Sequence, residues 1–321
     1  MKKAGKVILI TAAVLLLIGL LLLIAALASN HWDFSAVVGG EYRSRTVRLE
    51  EAIRDISIRC GTEDVRFVQS EDGVCSVEFY ERENEPHSAA VLDGTLTVTV
   101  EDQREWYQRI TLLSFERPSI TVHLPRSKYA ALHIENSTGA VEIPGEFRFD
   151  SIELSTDTGS LRCGASALEQ IRISGGTGSV RLEELSAKDL TVTVSTGAVD
   201  LRSVECGGHL QVDVSTGRVS LADLRCASLR SEGSTGDLYM KNVVAVGLIS
   251  VERSTGDIRL EKCDAGELSL ETDTGDVTGS LLSEKIFVAR SDTGSVDVPD
   301  TVNGGKCRIT TDTGSIRVTI R

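Results

Sequence analysis

A tripeptide x-Thr-Gly, with Ser, Asp or once Gly at its first position, recurs ten times in the chain. Its glycines are Gly139, Gly159, Gly178, Gly197, Gly217, Gly236, Gly256, Gly275, Gly294 and Gly314, so the spacing is always 19 or 20 residues. A fixed period of this size marks a solenoid, in which one supersecondary unit is repeated and stacked on itself. No other feature of the chain restricts its fold as much.

The residues around each glycine define the unit. Two positions after it stands an aliphatic side chain, from Val141 and Leu161 to Val296 and Ile316. Most positions two further on are apolar as well, as in Leu182, Leu201, Leu221, Leu260 and Val318. Seven before it stand Leu132, Ile152, Ile171 and their equivalents through Phe287 and Cys307, and five before it Ile134, Leu154 and Val192 continue the pattern. Period-two alternation on both sides of a glycine turn specifies two short strands per unit. A third apolar position, seven after the glycine at Leu185, Val204 and Leu224, closes the loop to the next unit. No segment sustains a 3.6-residue period over two turns, which excludes an amphipathic helix. The expected fold is all-β: a single-chain parallel β-solenoid (β-helix) of about ten coils, spaced about 4.8 Å apart over roughly 48 Å. One coil cannot bury its apolar side chains alone; stacking supplies the core. The glycine is expected at φ > 0, where a Cβ would be strained, and the usual crossover hand makes the stack right-handed. Ten threonines in one phase make a hydroxyl ladder, on a side that the pattern does not specify.

The amino terminus has another character. Val7 to Ala28 is a run of 22 residues without a charge. As a helix it reaches about 33 Å, enough to span a bilayer. Lys2, Lys3 and Lys6 precede it and no Lys or Arg follows until Arg43. The positive-inside rule then leaves residues 1–6 as a cytoplasmic tail and sends the rest outside. The competing reading is a cleaved signal peptide: Ala26-Leu27-Ala28 resembles a cleavage site, but the apolar run is longer than such peptides carry. No Cys follows the run, so a lipoprotein anchor has no support. Without the three lysines the exterior holds 31 basic against 47 acidic residues, a net −16 where the whole chain has −13. That balance argues against nucleic-acid binding, which needs a basic stripe.

Seven cysteines, at 60, 75, 163, 206, 226, 263 and 307, cannot all pair within one chain. Cys60 and Cys75 flank two strand-like segments and are the candidates for a bridge; the later five mostly occupy apolar repeat positions and read as small buried hydrophobes. There is no CxxC pair, and the five histidines lack metal spacing. Residues 29–45 read as a linker, and 46–130 as divergent β coils or a β-rich cap ahead of the repeat at 131–321. Ile56 to Phe67 keeps the strand–turn–strand rhythm with a changed turn, and Leu96–Val100 and Ile120–Leu124 are further strands. Asp102 to Phe115, with Trp106 and Tyr107, breaks the period as a cap or a binding loop. Twelve of the 14 aromatic residues precede residue 150, so the repeat region is expected to have a thin aliphatic core.

The amino-terminal anchor, Leu124-Pro125 ahead of Leu132-His133-Ile134, and the serial Ser/Asp-Thr-Gly-x-Val units resemble the bacterial "putative adhesin" family of unknown function, with its LiaG-like envelope proteins. The resemblance spans about residues 46–321 and rests on repeat rhythm. It implies a membrane-anchored β-solenoid with an adhesive role, and supplies no catalytic residue, cofactor or ligand set.

Several motifs bear on chemistry. Asp157-Thr158-Gly159-Ser160, Asp292-Thr293-Gly294-Ser295 and Asp312-Thr313-Gly314-Ser315 match the short signature of aspartic proteases, whose two carboxyls share a proton across a cleft. Here the tripeptide is a repeat-phase turn interchangeable with Ser-Thr-Gly. Parallel β-helices include carbohydrate-active lyases and glycosidases, whose grooves are walled by inserted loops; the unbroken 19–20 interval leaves no insertion. Asp273, Asp292 and Asp312 share one phase, and Asp237, Asp257 and Asp276 another. Carboxylates stacked about 5 Å apart repel by roughly 1 kcal/mol per pair in water-like screening. Either solvent and turn N–H groups absorb this or a divalent cation does, and oxygen-only ligands make Asp273, Asp276, Asp292 and Asp312 the Ca²⁺ candidates. The calcium-roll nonapeptide is missing, and ice binding needs paired threonine ranks where one is consistent. No phosphate loop, nucleophile elbow or dinucleotide fingerprint occurs.

The function expected from these features is that of a non-enzymatic, adhesin-like scaffold or interaction module of the bacterial envelope, with no catalytic residues and no cofactor. Its location would be the cell membrane, single-pass, with a cytoplasmic N-terminus and the solenoid extracytoplasmic. The alternative is a carbohydrate-active β-helix enzyme acting on wall or capsular glycans. Partners would be the membrane, through residues 7–28, and an envelope protein, glycan or host surface. Self-association through the C-terminal coil is also expected, since Ile316, Val318 and Ile320 run to Arg321 without a capping segment.

Overall fold

A computed structural model of the chain describes residues 2–29, 42–82, 85–100 and 117–321. Most of Asp102 to Phe115 and of the 29–45 segment therefore lies outside the described residues. Lys2–Ser29 is one helix, and its described side chains, Ile10, Leu16 and Leu21 among them, are exposed. Among the described residues no helix is long and apolar enough to cross a membrane.

Everything else described is β. The ten glycine-marked coils stack in parallel with the repeat in register, for example Ile152 beside Ile171, Gly159 beside Gly178 and Leu182 beside Leu201. The alternating apolar positions point inward as the pattern requires: Leu190, Val192, Val199 and Leu201 are all 1% exposed or less. Each turn glycine has φ between +130° and +156°. Steric crowding adds to this backbone requirement. A Cβ on Gly197 would stand 1.6 Å from the carbonyl oxygen of Gly178 in the coil beneath. Glycine is thus what allows successive turns to stack at strand spacing.

The coils are more than two strands across. Val204–Cys206 pairs with Leu224–Cys226, which pairs with Val243–Ala245, so the middle of the stack has a third parallel ladder where sequence reasoning placed only a corner. The chain enters it through residues six after the turn glycine. Glu184, Ser203, Asp223, Asn242 and Lys262 there take φ of +52° to +57° without being glycine. This left-handed step turns the next residue inward, and Leu185, Val204, Leu224, Val243 and Cys263 are buried.

The order of the coils departs from sequence order at both ends. Asp55–Cys60 pairs with Thr95–Val100 on one side and Lys128–Thr138 on the other. Asp64–Gln69 likewise lies between Ser119–Leu124 and Val141–Ile143. The first coil in sequence is therefore second in space. At the other end Gly305–Thr313 pairs with both Ile258–Thr274 and Lys285–Thr293, and Ile316–Ile320 with both Val277–Leu281 and Val296–Asp297. The stack ends Gly256, Gly275, Gly314, Gly294. The exposed edge expected at the C-terminal coil is consequently not there: that coil is covered on both sides, and the free edge belongs to the penultimate one. At the opposite end the antiparallel strands Tyr42–Leu49, Cys75–Arg82 and His87–Leu92 extend the two sheets as a cap.

All seven cysteines are free, Cys60 and Cys75 included.

Candidate functional site

The residues singled out for cation binding sit on the outer edge of the turn. All ten threonines of the repeat tripeptide are exposed, so their ladder faces outward. Asp273, Asp292 and Asp312 beside them are exposed too, in the spatial order 273, 312, 292 that the exchanged coils impose. Arg290 Nε donates to Asp292 Oδ1 at 3.0 Å. The second acidic phase is built differently. Asp257 N donates to Asp237 Oδ1 at 3.1 Å, Asp276 N to Asp257 Oδ1 at 3.0 Å, and Ser315 N to Asp276 Oδ1 at 2.7 Å. Each carboxylate therefore accepts a backbone N–H from the next coil, and the turn donors absorb the like-charge repulsion. Among the described residues no group of three or more His, Cys, Asp or Glu is arranged to hold a metal ion.

The densest polar chemistry lies where the cap meets the first coil, and sequence reasoning did not assemble it. Glu63 comes from the changed turn of the first coil, Glu81 from Cys75–Arg82, His87 from His87–Leu92 and Arg45 from Tyr42–Leu49. The Glu81 side chain is 0% exposed and that of His87 1%. His87 N and Nδ1 lie 2.7 and 2.9 Å from Glu81 Oε2, and Arg45 Nε donates to Glu81 Oε1 at 2.8 Å. On the other side of the ring His87 Nε2 stands 3.4 Å from Glu63 Oε1, while Gly61 N donates to Glu63 Oε2 at 2.6 Å. The rings of His87 and Phe79 stack at 5.2 Å.

Burial opposes a charge on His87, but the carboxylates of Glu63 and Glu81 outweigh it and raise the imidazole above its usual value. Burial likewise opposes ionisation of Glu63 and Glu81. The contacts of Glu63 with His87, and those of Glu81 with Arg45 and His87, overcome it and hold both below the ordinary carboxylate range. The result is a buried relay of alternating charge that ties three cap strands to the stack. Nearby Cys60 has its thiol pushed up by burial and by the charge of Glu63, so it is not a thiolate at neutral pH.

A cleft of about 540 Å³ opens beside this relay, with Arg59, Glu63, Glu85, Glu135, Asn136 and Asp157 on its walls. Three of its carboxylates already have basic partners: Glu63 has His87, Glu85 has Arg82 at 3.5 Å, and Glu135 has Arg59 at 3.1 Å. A second buried charge, Arg253, lies within the repeat core. Burial brings its guanidinium down to about 10, and Nη2 donates to Ser231 Oγ at 2.7 Å. It occupies the space over Gly233, where a Cβ would meet Nη1 at 2.5 Å.

Two segments, 53–213 and 208–321, match the family model described as Toastrack DUF4097. No curated protein matches the sequence. Among solved structures, a "putative adhesin" from Bacteroides fragilis is 15% identical, with 86% of this chain and 97% of that chain covered and a TM-score of 0.41. A "putative adhesin" from Parabacteroides distasonis is 12% identical over 88% and 98% of the two chains, with a TM-score of 0.47. A "putative lipid binding protein" from Parabacteroides distasonis is 12% identical over 87% and 98%, with a TM-score of 0.35.

Proposed function

The chain belongs to the Toastrack DUF4097 family, and we propose that it is a membrane-anchored, non-enzymatic scaffold that presents its solenoid on the outer side of a bacterial cell membrane. The observation that carries this reading is the helix Lys2–Ser29: its described apolar side chains are exposed, with Leu16 at 76% and Leu15 at 64%. Soluble proteins do not leave such a continuous apolar surface in water. The charge-free run from Val7 to Ala28 is long enough for a bilayer, and Lys2, Lys3 and Lys6 favour a cytoplasmic amino terminus.

The solenoid supports the scaffold half of the proposal. Its turn ridge repeats one set of hydroxyls and carboxylates along the stack, and the cleft at its cap end is charge-paired. Such regular faces suit an extended partner: an envelope protein, a wall polymer or a host surface.

The test is fractionation of cells carrying the full chain. It should stay with membranes through alkaline carbonate washing, and a membrane-impermeant amine reagent should label the solenoid in intact cells. Release by carbonate, or labelling only after lysis, would refute the reading. Crosslinking in intact cells then identifies the partner.

A further inference from the structure

The two ends of the stack are finished differently. At the amino-terminal end three antiparallel strands close the sheets, and Arg43, Arg45 and Arg48 stand on the outermost one, Tyr42–Leu49. Charges on an edge strand discourage pairing with another chain. At the far end Lys285–Thr293 pairs only with Gly305–Thr313, and Val296–Asp297 only with Ile316–Ile320, among the described residues. This terminal coil leaves one edge of each strand open.

Its side chains are also unlike those of the coils beneath. Ile286 and Val288 point outward and are 44% and 50% exposed. In the adjoining coil their register mates are Lys306 and Arg308, and Arg308 is followed one coil further in by Ser269. Inward-facing Phe287, Ala289 and Val298, whose equivalents are buried deeper in the stack, are only partly covered. Val296 is 44% exposed and Val302 80%. Apolar residues thus occupy both faces of the open strand at the one end that has no cap.

We propose that this terminal coil docks onto the terminal coil of a second copy, end to end about a two-fold axis. The cross-section of the stack selects that occupant. A coil of the same outline covers the open Lys285–Thr293 and Val296–Asp297 edges together with the half-buried Phe287 and Val298, whereas a lone strand covers one edge. A two-fold axis perpendicular to the sheet at Val288 makes the strands antiparallel and keeps inner faces opposite inner faces. It sets Val288 against its own mate and Phe287 against Ala289 of the other copy. The contact is isologous and closes at two subunits; a head-to-tail contact would propagate and would need the arginine-bearing cap as its acceptor. The proposal deepens the scaffold reading, because two anchored copies joined at their far ends bridge two membrane surfaces.

The experiment uses the full chain in lipid nanodiscs, one chain per disc. Joined copies appear in negative-stain images as two discs linked by a rod of about twice the single length, and V288C should crosslink into covalent dimers when a thiol oxidant is added. S269C, the same outward phase inside the stack, should not. V288K should lower the fraction of linked discs at least tenfold, with the circular dichroism and melting temperature of the monomer unchanged, since residue 288 is outward. Single discs at about 50 µM, far above the Kd of a functional contact, would overturn the proposal. So would linkage that survives V288K, or crosslinking of S269C equal to that of V288C. If the chain does not enter discs the anchor reading fails by itself, and the same variants decide the docking proposal by sedimentation of the full chain.

Discussion

Replacing Gly197 by Ala adds one carbon and should cost as much as losing a large core side chain. Gly197 has φ +152°, a region L-residues occupy only under strain of about 1–3 kcal/mol. The new Cβ would also lie 1.6 Å from the Gly178 carbonyl oxygen and 2.7 Å from its carbon. Both are backbone atoms, so no side chain can swing aside. Relief requires the two coils to separate by more than 1 Å at the turn, roughly the range over which a hydrogen bond fails. The nearby pairs Thr177 with Thr196 and Ser179 with Ala198 belong to that ladder. Losing about two such bonds at about 1 kcal/mol each brings the total to about 3–5 kcal/mol. The control is G207A. Gly207 has an ordinary φ and its added Cβ would meet nothing nearer than the Lys188 Cα at 4.0 Å, so the change should be neutral or slightly stabilising through the unfolded chain. Thermal melts of the two full-length variants should differ by about 6–15 °C, taking about 2–4 °C per kcal/mol for a domain of this size. Coincident melts would refute the claim that stacked turn glycines set the coil spacing.

Three further outcomes follow from the geometry. His87 rises above its ordinary 6.5 on folding, so its stabilisation is complete below that pH and is lost as pH climbs through the raised value. Glu63 and Glu81 fall below 4.5, so theirs is complete above that pH and lost on acidification through the lowered values. A stability profile should therefore crest between about pH 4.5 and 6.5, and H87Q, which strands two buried carboxylates, should remove the crest and cost about 3–5 kcal/mol; an unchanged profile would disprove the relay. In the acidic ladder, D257A removes the acceptor of Asp276 N and should cost about 1 kcal/mol, while millimolar Ca²⁺ leaves the melting temperature of the parent chain unchanged. A calcium-dependent rise would show that the carboxylates take metal in place of N–H donors. Hydrogen exchange should find Gly305–Thr313 as protected as Ile258–Thr274, with Lys285–Thr293 exchanging faster; the reverse order would contradict the exchanged coils.

The repeat was legible because its determinants are local. A glycine with no room for a Cβ, and apolar residues at two and four positions after it, report the turn and both strands whatever lies around them. The third ladder was half legible: Leu185, Val204 and Leu224 gave its inward positions, but its left-handed entry uses Glu184, Ser203 and Lys262, residue types that do not announce that conformation. The relay escaped because its members come from four segments, and only the cap topology brings Glu63 and His87 together. Arg253 escaped because an Arg at an inward phase contradicts the pattern, and its compensation, the missing side chain at Gly233, lies one coil away. The outward face of the acidic turns was readable as a ladder, yet their neutralisation by backbone donors depends on coil spacing, which composition does not contain.

The order of the last coils has a physical rationale that sequence periodicity hides. Both coils carry the same interval and the same turn, so periodicity cannot rank them; burial can. The Gly314 coil offers Cys307, Ile309, Ile316 and Val318, all 2% exposed or less where it lies. At the end of the stack these would lose cover on one side, whereas the Gly294 coil has the smaller Ala289 and Ser291 at the matching positions. Exchange requires the chain to climb past a vacant layer. Residues 282–284 connect Leu281 to Lys285 over two coil spacings, about 9.6 Å, within the reach of an extended chain. Lys285, buried at the top of the climb, pairs with Asp264 at 2.7 Å. The return passes so close beneath that a Cβ on Gly304 would stand 1.8 Å from the Glu284 oxygen, and one on Gly305 1.7 Å from that of Gly266. The consequence concerns fraying. In a solenoid wound in sequence order the last strands peel away by breaking one ladder per strand. Here Ile316–Ile320 lies between two partners, so its departure breaks two ladders together, and the outermost coil is held by covalent connections on both sides. The open edge is thus presented by a coil that cannot unwind from its own end, which is the property a docking surface at the tip of a rod requires.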